Sequence, residues 1–179
     1  MNTYAVFLRG INIGGHTRIS MQQLKQELTS KGFSNVKTHL NSGNLIVTKL
    51  LNATQTASEI AGIIKTQFNS DVEVFVKTSQ EMEQILEKDP FKPDEASDAS
   101  KKIVFLLSEK IKDTDLSRAL ENQKFEEKWF VSGDVMFVYY PNGSGTSKFT
   151  INLIERKMKI KATGRNWNTM TAMVKKMKE

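Results

Sequence analysis

The chain contains no cysteine and only two histidines among its 179 residues. The lack of cysteine excludes disulfide bonds, thiolate-bound zinc and a cysteine nucleophile, and two histidines are too few for a histidine-rich metal site. No apolar run approaches the roughly 20 residues that a membrane-spanning helix needs, and the N-terminus lacks the layout of a signal peptide. We therefore expect a cytoplasmic protein with no metal site and no membrane partner.

Positive charge is concentrated near the C-terminus. Residues 148–179 carry nine Lys or Arg and two Glu, whereas the rest of the chain is nearly balanced. Such a region can attract phosphates, nucleic acid or an acidic partner. A solvent-facing surface on two terminal helices explains the same charges. We favour this second interpretation, because net charge alone identifies no partner.

Hydrophobic periodicity and turn residues predict the same order of elements in each half of the chain. The first half is predicted as strands 4–8, 36–40, 45–48 and 72–76 with helices 20–32 and 56–68. The second is predicted as strands 103–107, 128–131, 135–140 and 161–163 with helices 115–123 and 148–157. Each half ends with one more helix, at 80–88 and 168–178. The order βαββαβ is the split βαβ arrangement of ferredoxin-like folds.

Two further features support a tandem repeat. The motifs Ser42-Gly43-Asn44 and Ser132-Gly133-Asp134 are predicted at the same turn of each half, and two of the three prolines lie between the halves, a composition typical of a linker. We predict an α+β protein of two tandem ferredoxin-like units with antiparallel sheets, each followed by an extra helix. The predicted domains are 1–89 and 102–179, joined by a linker at 90–101.

A glycine-rich turn follows the first predicted strand. Residues 10–17 differ by one position from the phosphate-loop pattern G-x-x-x-x-G-K-[ST], because His16 replaces the lysine. Histidine is mostly neutral at pH 7, and no strand ending in a magnesium-binding Asp follows, so nucleoside triphosphate hydrolysis is not predicted. A phosphate or carboxylate could still be held by Arg9, the amides of Gly14 and Gly15, His16 and Arg18. A structural turn explains the same glycines equally well.

Two other segments could join this site. Ser42-Gly43-Asn44 reads as a hairpin turn, and it should lie beside the loop after Arg9, because the first and third strands of a split βαβ unit are antiparallel neighbours. The segment 165–169 combines a cation, amides and an indole before a helix, with Asn168 or Thr169 as the expected N-cap. We expect Trp167 to be buried there.

Together these motifs resemble the bacterial family known as domain of unknown function 1697. The matching residues are Arg9 to Gly15, Ser42 to Asn44 and Arg165 to Thr169, and the likeness spans nearly the whole chain. The resemblance implies a two-part ferredoxin-like fold and a cytosolic location, and it implies no settled activity. Members often carry Lys at the position of His16, so this chain departs from the family there.

The leading hypothesis is a protein that binds a small anionic ligand in a cleft between the halves. The candidate ligand-binding residues are Arg9, Asn12, Gly14, Gly15, Arg18, Asn44, Arg165 and Asn166. The sequence assigns no catalytic residue, cofactor or oligomeric state, and it leaves open whether the protein is an enzyme. Nucleic-acid binding through the basic C-terminal region and Trp167 ranks second, because strand 45–48 has none of the aromatics on which RNA-recognition modules stack bases. A structural or interaction module without a ligand is the third hypothesis.

Overall fold

The computed structural model describes residues 1–14, 17–91 and 98–179. The described chain divides into two compact units, one formed by Met1–Gln84 with Ala172–Glu179 and the other by Ile85–Thr171. The predicted linker at 90–101 stays a prediction, because residues 92–97 lie outside the described residues. None of the described helices is long and apolar enough to cross a membrane.

The first unit contains one four-stranded antiparallel sheet in the order β2-β3-β1-β4. Its elements are β1 (Asn2–Leu8), α1 (Met21–Ser30), β2 (Ser34–His39), β3 (Asn44–Lys49), α2 (Ala53–Phe68), β4 (Val74–Thr78) and the start of α3 (Ser79–Glu87). One face of the sheet packs with α1 and α2 into a core that includes Val6, Leu24 and Ile60. Ser20 begins α1 as predicted, because its side chain accepts a hydrogen bond from the Gln23 N–H.

The second unit repeats this arrangement, with a sheet in the order β6-β7-β5-β8. After a single 3-10 turn, its elements are β5 (Lys102–Leu107), α4 (Asp113–Ala119), β6 (Lys128–Ser132), β7 (Val135–Tyr139), α5 (Ile151–Met158), β8 (Ala162–Asn166) and the start of α6 (Trp167–Lys178). Its core includes Leu116, Met136 and Ile154. The predicted α+β fold of two tandem ferredoxin-like units is confirmed.

The repeat extends to the register of the strands. The Leu8 N–H donates to the carbonyl of Gly43, and the Leu107 N–H donates to the carbonyl of Asp134, so Leu8 and Leu107 occupy equivalent positions. Three residues earlier in each strand, Ala5 lies opposite Lys77 of β4 and Val104 lies opposite Arg165 of β8. Lys77 and Arg165 are therefore equivalent, and both are buried cations on the outer strand of their sheet.

The hairpin turns of the two units differ, although the sequence predicts the Ser-Gly motifs at the same turn. In the first unit the hairpin is closed by the pair His39 and Asn44, which leaves four residues in the loop. In the second it is closed by Ser132 and Val135, which leaves two. Asn44 is thus the first residue of a strand and no part of the turn. The motifs are offset by one position because the two loops differ in length.

Four predicted helix boundaries in the second unit are also wrong. Helix α4 begins at Asp113 and ends at Ala119, and α5 begins at Ile151, because Thr150 has extended backbone angles and its hydroxyl accepts from the Leu153 N–H. Helix α6 begins at Trp167, because β8 continues its ladder with β5 as far as Asn166.

Candidate functional site

The loop between β1 and α1 alternates in the sign of its backbone φ angle. Gly10, Asn12 and Gly14 have φ of 68°, 54° and 63°, and the residues between them do not have positive φ. Such alternation is the pattern by which consecutive main-chain N–H groups can converge on an anion. The base of the loop is fixed, since Ile11 and Ile19 are buried in the first unit's core.

Asn12 closes this loop with both its backbone and its side chain. Its N–H donates to the carbonyl of Thr17 at 2.9 Å. Its side-chain amide donates to the carbonyl of Ile19 at 2.9 Å and to that of Asn41 at 2.7 Å, while Oδ1 accepts from the Ile19 N–H at 2.9 Å. With these bonds made, Asn12 braces the loop and has little capacity left for a ligand.

The predicted contact between this loop and the β2–β3 hairpin is confirmed. Asn12 bonds to Asn41 of the hairpin loop, and the Leu8 N–H donates to the Gly43 carbonyl at 2.8 Å. A Cβ atom on Gly43 would lie 2.8 Å from the Leu8 Cβ and 2.9 Å from the Ile11 Cδ1. Gly43 therefore permits the hairpin to pack directly against the end of β1.

Asn44 is fully buried beneath this corner. Its side-chain amide donates to the carbonyl of His39 at 2.9 Å and to the hydroxyl of Ser42 at 3.1 Å. These bonds hold the hairpin loop in shape. Asn44 thus positions the corner, and its burial keeps it from the surface where a ligand would bind.

The polar groups of the β1–α1 loop at this corner include two arginines and backbone N–H donors. Arg9 is half-buried, whereas Ile13, Gly14 and Arg18 are exposed. Within the described part of the chain, the N–H groups of Ile13 and Gly14 donate to no acceptor. Helix α1 begins just after Arg18, and its first turn carries no acidic residue, so its N-terminal partial positive charge is not offset there. The predicted site residue Gly15, and His16 beside it, lie outside the described residues.

The segment 165–169 has clear structural roles inside the second unit. Arg165 is buried, and its Nη1 donates to the Thr163 hydroxyl at 2.9 Å and the Gly164 carbonyl at 2.7 Å. Burial lowers its pKa to about 10, so the guanidinium stays charged at pH 7. Asn166 Oδ1 accepts a hydrogen bond from the Thr169 N–H at 2.8 Å, so Asn166 is the N-cap of α6. The sequence predicts Asn168 or Thr169 as this N-cap.

Trp167 is half-buried, whereas the sequence predicts full burial. Its ring lies 6.4 Å from that of Phe137, and the Lys102 ammonium lies 5.5 Å from its centroid. A ring between an aromatic neighbour and a cation packs well while one edge stays accessible.

Most strand aromatics of the second unit pack against other side chains, although Phe130 of β6 is 44% exposed. Phe137 and Tyr140 are buried, and the Tyr140 hydroxyl donates to the carbonyl of Phe149 at 2.8 Å. Trp129 stacks on Phe149 with centroids 5.0 Å apart. These three rings pack against other groups of the unit, which weakens the argument for base stacking on this sheet.

A cleft of about 570 Å³ lies in the second unit near the C-terminal end of α5. It is lined by Ser108, Glu109, Asn152, Glu155, Arg156, Lys159, Ile160 and Lys161. The cleft contains three cationic side chains, two carboxylates and the partial negative charge of the C-terminus of α5. One of the carboxylates, Glu155, accepts a hydrogen bond at Oε1 from the Ala162 N–H at 2.7 Å. Charge is nearly compensated inside this cleft, so we do not place the anion site in it.

Metal binding has no support in the described residues, where no three His, Asp or Glu side chains come together in a way that could hold an ion.

Sequence reasoning did not identify Ile13 and Leu40, two exposed aliphatic side chains on the loops of the corner. The length of the hairpin loop could have drawn attention to Leu40, but its exposure depends on a backbone angle that periodicity does not encode.

The fold and the corner define an α+β protein of two tandem ferredoxin-like units, with a glycine-rich loop that carries arginines at the end of its first strand. Residues 1–137 match the family described as "Protein of unknown function (DUF1697)". The chain belongs to this family, and the motifs at residues 9–15 and 42–44 fall within the matched residues, whereas the motif at residues 165–169 lies outside them.

The fold is also similar to that of a solved structure, the conserved bacterial protein SP0830 from Streptococcus pneumoniae. The similarity has a TM-score of 0.73 at 21% sequence identity and covers 98% of each chain. At this identity the likeness shows the fold alone. No curated protein matches the sequence.

Proposed function

We propose that the protein binds a small ligand bearing a phosphate or carboxylate at the corner formed by the β1–α1 loop and the β2–β3 hairpin. One observation carries the proposal: within the described residues, the N–H groups of the exposed residues Ile13 and Gly14 donate to no acceptor, and they lie in a loop that also carries Arg9 and Arg18. Charge-assisted hydrogen bonds to an oxyanion would satisfy these donors.

The remaining parts of the proposal concern residues whose side chains have other roles. Asn12 and Asn44 support the loops, and Gly15 stays a predicted ligand-binding residue that lies outside the described residues. Arg165 and Asn166 stay predicted ligand-binding residues, and both already make hydrogen bonds within the second unit. We also propose a cytoplasmic location, on the basis of the sequence features given above.

Nucleic-acid binding is the second candidate, supported by the basic residues of the C-terminal region. It predicts an affinity that falls steeply with salt, because phosphate contacts release counterions. Titration of single-stranded RNA at about 50 mM salt, where such contacts are strongest, tests it directly. An absence of binding under that condition would exclude it.

The anion site is tested by titrating ¹⁵N-labelled protein with inorganic phosphate and with acetate. We expect the amide signals of Ile13 and Gly14 to shift first, and Arg9→Ala to weaken binding about tenfold or more, because hydrogen bonds to charged groups contribute about 1.5–3 kcal/mol. Arg118→Ala is the matched control, since Arg118 is an exposed arginine on α4. Equal weakening in both variants would indicate nonspecific attraction to positive charge and would refute the site.

A further inference from the structure

Two exposed aliphatic side chains lie on the two loops that form the proposed anion site. Ile13 and Leu40 are 63% and 62% exposed, and they are two of five large apolar side chains exposed in the described part of the chain. The loops are tied together next to them, because Asn12 donates to the carbonyl of Asn41. The apolar pair and the cations therefore share one corner of the first unit.

The backbone at Leu40 makes this exposure unusual. Leu40 has a φ of 59°, in the left-handed region that large side chains rarely adopt. Gly, Asn or Asp fits such a loop position with less strain and without exposing apolar surface. The loop instead holds a leucine there and presents it to solvent. Backbone strain of this kind is kept mainly where it serves a function, so we infer a binding role for the exposed Leu40 side chain.

Building on the proposed function, we propose that the ligand is amphiphilic: an organic acid whose carboxylate or phosphate is held by Arg9 and the loop amides, and whose aliphatic body lies on Ile13 and Leu40. An inorganic anion would use only the polar half of the corner. A hydrocarbon body would also remove the two side chains from water. Burial of each methylene is expected to tighten binding by up to about fourfold.

A series of straight-chain carboxylates tests this inference. Acetate, butanoate, hexanoate and octanoate are titrated into ¹⁵N-labelled protein, and the dissociation constant is plotted against chain length. We expect affinity to rise with each methylene in the native protein. In the double variant Ile13→Thr with Leu40→Asn, the slope of affinity against chain length should flatten, because both aliphatic side chains are lost. Asparagine is chosen at position 40 because it tolerates a positive φ. Leu50→Asn is the matched control, since Leu50 is 78% exposed elsewhere in the same unit.

The outcomes separate this inference from the function on which it rests. A slope that flattens in the double variant and persists in Leu50→Asn supports an amphiphilic ligand. Equal affinity for all four acids, or a slope unchanged by the double variant, overturns it and leaves the anion site standing. Binding to vesicles of anionic phospholipid without binding to any free acid also overturns it. Failure of phosphate and of every acid to shift the Ile13 and Gly14 signals would overturn both proposals.

Discussion

Replacement of Gly43 by alanine tests whether the hairpin packs against the first strand as closely as described. Two separate costs are expected. Gly43 has a φ of 80°, and a left-handed backbone costs a residue with a Cβ roughly 1–2 kcal/mol. The new methyl group would also lie 2.8 Å from the Leu8 Cβ and 2.9 Å from the Ile11 Cδ1.

The steric cost at Gly43 is difficult to relieve. Leu8 and Ile11 are fully buried, and the position of the Leu8 Cβ is set by the central strand. Ile11 could rotate its terminal methyl group, but the Leu8 Cβ cannot move without its backbone. Overpacking of this kind costs about 1–3 kcal/mol. We therefore expect Gly43→Ala to lower the free energy of unfolding by about 2–5 kcal/mol in total.

Gly133→Ala is the matched control for the backbone cost. Gly133 has a φ of 65°, and the nearest atom to an added Cβ is the Lys110 Cγ at 4.0 Å. It should lose only the backbone cost, about 1–2 kcal/mol. Urea unfolding followed by far-UV circular dichroism measures both variants. Equal losses in the two would refute the close approach of the hairpin to Leu8 and Ile11.

Two further predictions concern buried or partly buried polar groups. Tyr140→Phe removes a buried hydroxyl and leaves the carbonyl of Phe149 without that donor. We expect the free energy of unfolding, measured with urea, to fall by about 1–2 kcal/mol. An unchanged free energy of unfolding would mean that this hydrogen bond is not formed in solution. Burial, and then the positive charge of Lys176, lower the pKa of His39 below its ordinary value of 6.5. The folded state therefore binds fewer protons there than the unfolded state, and stability falls as the pH drops through 6.5. An NMR titration should place this pKa below 6.5, and stability between pH 7 and 5 should depend less on pH in His39→Gln.

The sequence predicts most of the fold because hydrophobic periodicity and helix caps depend on residues that are close in sequence. Ser20 caps α1 where its spacing to Gln23 indicates, and the alternation of Val72, Val74 and Val76 indicates the strand that the structure has at Val74–Thr78. One error falls where pairing with a distant strand decides the boundary. Strand β8 reaches Asn166 because it pairs along β5, and a short polar segment carries no local sign of that pairing.

The candidate site is predictable only in part, for the same reason. Strand order is sufficient to place the Arg9 loop beside the hairpin, since the neighbours of a split βαβ unit are fixed. The roles of Asn12 and Asn44 are not predictable, because an asparagine that binds a ligand and one that braces a loop look alike in sequence. Hydrogen-bond partners distinguish them, and these depend on atoms 29 residues apart in the case of Asn12 and Asn41.

The equivalent buried cations of the two units have a consequence for association with other chains. Strands β4 and β8 are edge strands, and an edge strand offers unpaired backbone groups to which a foreign strand can add. Lys77 and Arg165 place a charge inside each edge at the same register, and inward charges make an edge a poor template for further pairing. At the opposite edge of the first sheet, β2 has a register shift between Ser34 and Lys37, which interrupts a flat edge in a different way. The repeat thus carries built-in protection against edge-to-edge aggregation at corresponding positions in both units.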